Sequence, residues 1–417
     1  MRRRTRRSPL FLFILLSLCA SALAQQPLSW EEVRGRFRQN NPALLAQQTF
    51  VEESKANEVT AGLRPNPQLS FLADQFRIFN PNPLVPFQNA QITPVLSQLI
   101  ERRNKRHLRV ASTRFLTSIA STDLADQERQ LVFNLRDAFN HILQGKSLLQ
   151  LAQDNLAYYD KVIAVNRERY KAGDISQNDL MRVELQRVQF ESDLVNAQVN
   201  FRTAKIALLA LMNEQRPVDS FEIRGDFSFR ENILLLDELR QQALESRPDL
   251  QSATTAVDKA RNDHQLAWAN GSTDPNIGFE YQRTQSDNTA GIGVNVPIRI
   301  FDRNQGEKAR TSLEMRRSGQ LRDNIVAGIY RDVESAAASV QSVVSLLKPY
   351  RDRYLKQAES IRDSVSFAYS RGAASLLDFL DAQKSYRDTE LNYRNLIGSY
   401  LSSANQLNLA VGREVIP

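Results

Sequence analysis

The chain has 417 residues, one cysteine and three histidines, and 54 basic against 47 acidic side chains give it a formal charge of +7. A length of this order admits two or three domains, while a single thiol excludes a disulfide framework. Histidines as dispersed as His107, His141 and His264 supply no zinc-ligand spacing, and no Gly-rich phosphate loop offers a nucleotide site, so an enzyme is not expected.

The N-terminus comes first. Arg2, Arg3, Arg4, Arg6 and Arg7 precede an apolar run from Leu10 to Leu18, and Ala22-Leu23-Ala24 makes a small-x-small cleavage site before Gln25. The run is about half the length a helix needs to cross a bilayer, so residues 1–24 read as a secretory signal peptide. Cys19 invites a lipoprotein reading, against which stands the bulky Leu18 before it. Those residues carry five arginines and no acid, so their removal takes the charge from +7 to +2. The basicity is mostly targeting signal, and no nucleic acid partner is expected. The mature chain has no cysteine and must be held by packing or assembly.

The mature chain is a duplicated unit, residues 25–230 and residues 231–417. Asn41-Pro42-Ala43-Leu44 returns as Arg247-Pro248-Asp249-Leu250, and Pro67-Gln68-Leu69-Ser70-Phe71 as Pro275-Asn276-Ile277-Gly278-Phe279. Strand patterns come next in each half. The first half predicts strands over about 68–76, with Leu69, Phe71 and Ala73 on one face, and about 91–100, with Thr93, Val95, Ser97 and Leu99. Asn80–Pro86 between them reads as a loop. The second half predicts about 276–284, with Ile277, Phe279 and Tyr281, and about 290–301, with Ile292, Val294, Val296, Ile298 and Ile300, around a turn at Ser286–Thr289. Such strands suit either a soluble hairpin or spans of a membrane barrel, each of which needs only about ten residues.

Arg103-Asn104 and Arg303-Asn304, 200 residues apart, then lead into very long helical stretches. Ile325, Ile329, Val333, Ala336, Val340, Val343, Leu347, Tyr350 and Tyr354 keep a coiled-coil rhythm of threes and fours, as do Leu149, Ala152, Leu156, Tyr159 and Ile163. About 70 residues make a helix roughly 100 Å long, with Pro349 expected to bend the second.

Tight reversals close each half, at about 170–179 and 369–378. Tyr170, Gly173, Ser176 and Asp179 coincide with Tyr369, Gly372, Ser375 and Asp378 at an offset of 199 (369 − 170). The glycines fit left-handed helix ends, and the serines with their aspartates fit N-caps of the returning helices. Capping alone accounts for these residues; a point of contact for a partner is the second reading.

With these two Tyr-x-x-Gly-x-x-Ser-x-x-Asp turns inside a duplicated helix–strand–strand–helix order, the chain resembles the TolC-type outer-membrane factors, the exit ducts of efflux pumps and type I secretion systems. Ala61–Leu69 resembles that family's entry into its first strand, and Val296–Glu307 resembles the CzcC-like branch of cobalt–zinc–cadmium exporters. The resemblance implies a mainly α fold with a transmembrane β-barrel part: a homotrimer with a 12-stranded barrel in outer-membrane lipid, continued by a periplasmic helical barrel. Four strands cannot close a barrel alone, and open edges in lipid leave backbone groups unsatisfied. It also implies a belt from Pro217–Arg230 and Gly412–Pro417, a periplasmic adaptor protein and an inner-membrane RND transporter as partners, and no cofactor. The turns become periplasmic tips that meet the adaptor. Asp378 and Asp381 become stacked acidic rings at the pore entrance, attractive to cations, with like charge raising their pKa values. Tyr369 and Asp179 match two partners of the family's tip lock. Where an arginine often serves that lock, this chain has Ala373 and Ala374, with Arg371 before the glycine. The implied function is passive efflux of divalent metal cations. A multidrug or type I secretion outlet is the alternative, and a soluble coiled-coil scaffold the alternative from outside the family.

Overall fold

A computed structural model describes residues 27–76, 90–231 and 235–416. The expected signal peptide with its cleavage at Ala24 and Gln25, and the expected loop Asn80–Pro86, lie outside the described residues.

Both halves build the same succession. In the first, α1 (Trp30–Asn40) and α2 (Pro42–Gly62) lead to strands β1 (Gln68–Asp74) and β2 (Gln91–Leu99), then α3 (Lys105–Lys171) and α4 (Gln177–Leu211). In the second, α5 (Leu236–Ser246) and α6 (Pro248–Asn270) lead to β3 (Asn276–Thr284) and β4 (Asp287–Asn295), then α7 (Gln305–Pro349), a π turn at Tyr350–Tyr354, α8 (Leu355–Ser370) and α9 (Leu376–Val411). Ser29 starts α1 with a reciprocal capping box to Glu32. Pro42 and Pro248 stand at the first position of α2 and α6, where a missing N–H costs nothing.

The four strands form one antiparallel sheet in the order β1-β2-β3-β4. The register puts Leu69 opposite Leu96, Leu96 opposite Phe279, and Phe279 opposite Ile292, one apolar row across all four strands. That face is open: Phe71 is 72 % and Ile292 80 % exposed. The other face carries Ser70, Thr93, Ser97, Asn276, Glu280, Gly291 and Gly293. The register corrects the expected face of β2. Ile92, Pro94 and Leu96 share the apolar face with Leu69 and Phe71, while Thr93, Val95 and Ser97 fall on the polar one. The hairpin after β3 is also tighter than expected. Only Gln285, at φ 55°, and Ser286 separate the strands, and β4 stops at Asn295 rather than running to 301. Pro297 has no N–H to extend the ladder.

The described chain divides into two compact units, each drawing on both halves. One comprises residues 46–128 and 240–332 and holds the sheet; the other comprises residues up to 45, 129–239 and from 333 onward, and holds both helix reversals. The repeat boundary near 230 divides the sequence, whereas these units divide space.

The coiled-coil rhythm does produce burial. Ile329, Val333, Ala336, Val340 and Leu347 of α7 are all core residues, as are Ala152, Tyr159 and Ile163 of α3. α3 runs unbroken for 67 residues. Its counterpart does not: immediately after Pro349 the ladder shifts to π geometry for five residues before α8 resumes. Proline removes one N–H from the ladder and crowds the carbonyl four residues back, so an irregularity beside it is expected.

Candidate functional site at the paired helix reversals

Two reversals of identical backbone design lie in the same unit. After α3, Gly173 adopts φ 80°, its N–H donating to Tyr170 O while that of Asp174 donates to Arg169 O. After α8, Gly372 adopts φ 74°, with Gly372 N–H donating to Tyr369 O and Ala373 N–H to Ala368 O. Each is a Schellman motif, in which a left-handed residue lets two successive N–H groups reach back to the helix's last carbonyls. A side chain with a Cβ is strained at either glycine.

The returning helices are capped by the expected serines. Ser176 Oγ accepts from Asp179 N–H at 3.1 Å and donates to the Asp179 carboxylate at 2.8 Å. Ser375 repeats both bonds with Asp378, at 3.1 and 2.7 Å, and its own N–H donates to the same carboxylate at 3.2 Å. The Ser375 hydroxyl, and then its amide, hold the Asp378 carboxyl below the ordinary carboxylate value. This direction is opposite to the rise expected from a charged ring, which needs further copies of the chain. Asp378 and Asp381 are both exposed, and among the described residues neither makes an ion pair.

The two tyrosines part company. Tyr170 is 41 % exposed, whereas Tyr369 is 7 % exposed. The Tyr369 ring stacks on Phe379 at 4.7 Å on one side and lies under the Arg169 guanidinium, also at 4.7 Å, on the other. Arg169 further donates to Tyr369 O at 3.2 Å, and the Tyr369 hydroxyl donates to Asn166 Oδ1 at 2.7 Å. Burial raises the Tyr369 pKa above its ordinary value of 10.0, against the lowering pull of the Arg169 charge. The tie therefore joins α3 to the second reversal through Asn166 and Arg169. The hydroxyl bonds Asn166, and Asp179, the other residue matched to the family's tip lock, bonds Ser176. Higher along the same helices, Gln383 of α9 donates to Tyr158 of α3 at 3.2 Å and to Ser366 of α8 at 3.0 Å. A buried hydrophobic cluster of Tyr159, Ile163, Val183 and Phe190 packs against Leu376, the first residue of α9.

Sequence reasoning missed Asn166 and Arg169. Asn166 did carry a signal: it continues the apolar stripe of Tyr159 and Ile163 three residues on, a polar residue at a core position. Among the described residues no group of three or more His, Cys, Asp or Glu gathers to hold a metal. No described helix is long and apolar enough to cross a membrane.

Comparison with known proteins places this architecture. A family model described as outer membrane efflux protein matches residues 33–214 and 239–413. The cobalt-zinc-cadmium resistance protein CzcC of Cupriavidus metallidurans is 22 % identical over 402 residues, covering 94 % of this chain and 91 % of that protein. Outer membrane protein TolC of Vibrio cholerae is 21 % identical over 428 residues, covering 97 % and 94 %. Among solved structures, CusC, described with conformational changes accompanying folding and transmembrane channel formation, superposes with a TM-score of 0.76 at 18 % identity over 92 % of each chain.

Proposed function

Because the chain belongs to the outer membrane efflux protein family, whose members are outer-membrane channel proteins rather than enzymes, we propose that it is the exit duct of a tripartite pump, built as a homotrimer and passing divalent metal cations outward. The observation that carries the duct reading is the sheet. It has an apolar face suited to lipid, a polar face suited to a lumen and, among the described residues, two unpaired edges at β1 and β4. In lipid such edges leave backbone groups unsatisfied unless further strands pair with them. Three copies bring twelve strands, an even number within the range of outer-membrane barrels. The helices continue the duct on the periplasmic side, and the duplication gives six similar reversals for an adaptor protein to meet. Tyr170, Gly173, Ser176, Asp179, Tyr369, Gly372 and Ser375 form those tips, and an inner-membrane RND transporter supplies the energy.

In the assembled trimer Asp378 and Asp381 ring the entrance. Three carboxylates at each level attract cations and repel anions. The likeness to CzcC, named for cobalt, zinc and cadmium resistance, along nearly the whole chain supports metal cargo. The similar likeness to TolC supports the second reading, a multidrug or secretion outlet. A strain lacking the protein and its partner pump distinguishes them. Restoring both raises tolerance to cobalt, zinc or cadmium if the cargo is metal; unchanged metal tolerance with restored drug tolerance or peptide export favours the second reading.

A further inference from the structure

An Arg-Asn pair is repeated in both halves. Arg103-Asn104 opens α3 and Arg303-Asn304 opens α7, with Arg103, Asn104 and Asn304 at φ of 55°, 55° and 60°. Asn104 O and Asn304 O accept the first helical N–H groups, from Leu108 at 3.0 Å and Lys308 at 3.1 Å. The pair thus stands twice where the sheet gives way to helix, its asparagine left-handed both times and its arginine only in the first half. The antiparallel order brings all four strand–helix connections to one end of the sheet: the start of β1, the end of β2, the start of β3 and the end of β4. With the helices on the periplasmic side, as proposed above, the end from which they leave the sheet faces the periplasm.

Charge is unbalanced there. Residues 62–67, 99–110, 268–275 and 296–310 hold ten Lys and Arg against four Asp and Glu. All four acids are engaged: Glu101 with Arg109 at 2.7 Å, Asp274 with Lys105 at 2.6 Å, Glu307 with Arg310 at 2.9 Å, and Asp302 with the Asn304 amide at 2.8 Å. Arg64, Arg102, Arg103, Arg106, Arg299 and Arg303 make no ion pair among the described residues, and Arg64, Arg102, Arg103 and Arg303 are exposed. Large apolar side chains stand exposed beside them, including Ile298, Trp268 and Phe301, the last 90 % open. Lys308 Nζ lies 4.4 Å from the centre of the Trp268 ring. The opposite end, where described, has no such excess: Asp74, Arg283 and Asp287 are its charges.

We propose that this end of the sheet is a basic collar that binds the anionic headgroups of phospholipids in the periplasmic leaflet, with Arg103 and Arg303 as its duplicated anchors. Apolar and aromatic side chains next to unpaired cations fit a boundary between hydrocarbon and water. Guanidinium groups pair with phosphate oxygens through two parallel hydrogen bonds, which a point charge cannot do. The inference rests on the outer-membrane location of the family and on the proposed periplasmic side of the helices, not on the trimer or the cargo.

The test uses the full chain in detergent, offered phosphatidylglycerol or phosphatidylcholine, with retained lipid counted by native mass spectrometry. Each basic residue near an anionic surface contributes about fivefold in affinity. Wild type is expected to retain phosphatidylglycerol over phosphatidylcholine, less so as salt rises. The Arg103→Gln/Arg303→Gln variant should lose an order of magnitude or more of that retention, and Arg103→Lys/Arg303→Lys, which keeps the charge but not the paired hydrogen bonds, should lose less. Equal retention of the two lipids, or an unchanged glutamine variant, overturns the proposal. So does a glutamine variant that keeps its lipid but changes ion selectivity in planar bilayers, since its arginines would then face the lumen. Should the double variant fail to fold, the salt series on wild type and single Arg303→Gln decide by the same criteria.

Discussion

Replacing Tyr369 by phenylalanine keeps the ring between Arg169 and Phe379 but strips the hydroxyl from Asn166, whose side chain is buried. An acceptor left without its donor in such a place costs about 1–3 kcal/mol. If the tie holds the second reversal closed, Tyr369→Phe should raise single-channel conductance or its frequency of opening; conductance identical to wild type would contradict that role. The raised pKa of Tyr369 adds a pH dependence. Its contribution is fully present below pH 10 and is lost as pH rises through the elevated folded value. His141 carries a second pH dependence. Its Nε2 lies 3.2 Å from the Asp137 carboxylate, itself bonded by Ser402 at 2.6 Å. The hydrogen bond to Asp137 raises the His141 pKa above 6.5. Its stabilisation is therefore complete below 6.5 and declines as pH rises through the folded value. An NMR titration should find the midpoint above the ordinary one and see it fall in Asp137→Asn; an unmoved midpoint in that variant would contradict the pairing. Repetition marks Tyr369, Gly372, Ser375 and Asp378 in the sequence. It does not mark Arg169, because a guanidinium stacking on a residue 200 positions away leaves no local pattern.

Helix ends are legible because their chemistry is local. Glycine past a helix, then serine three residues before aspartate, dictates the same turn twice wherever the chain places it. Ser375→Ala should therefore cost about 1 kcal/mol through loss of the cap, read as a lowered unfolding midpoint, and Ser176→Ala about as much. No loss in either would mean the caps are replaced by water. Strand faces are less legible. Thr93, Val95 and Ser97 look like a plausible face on their own, but Leu96 must sit beside Phe279, and that neighbour lies in the other half of the sequence. The far end of β4 misleads, because Ile298 and Ile300 continue the alternation although Pro297 ends the ladder. A disturbance at Pro349 is readable from composition; that the ladder takes π geometry over Tyr350–Tyr354 is not.

For the whole molecule, duplication is the organising fact. Two long helices, two reversals and two strand pairs arise from one unit repeated, yet the halves are not equivalent. Only the second long helix is interrupted, and only the second tyrosine is buried. In a trimer this makes six similar columns of two alternating kinds, the second kind carrying the tie and the exposed Asp378 and Asp381. The proposed duct of three such chains has its entrance at those aspartates. Planar-bilayer recording of the purified protein and its Asp378→Asn/Asp381→Asn variant decides whether it does. A narrow, cation-selective conductance is expected in the wild type, with selectivity reduced in the variant. Protein that stays soluble without detergent and forms no channel would contradict the duct, as would a channel whose selectivity is indifferent to both carboxylates.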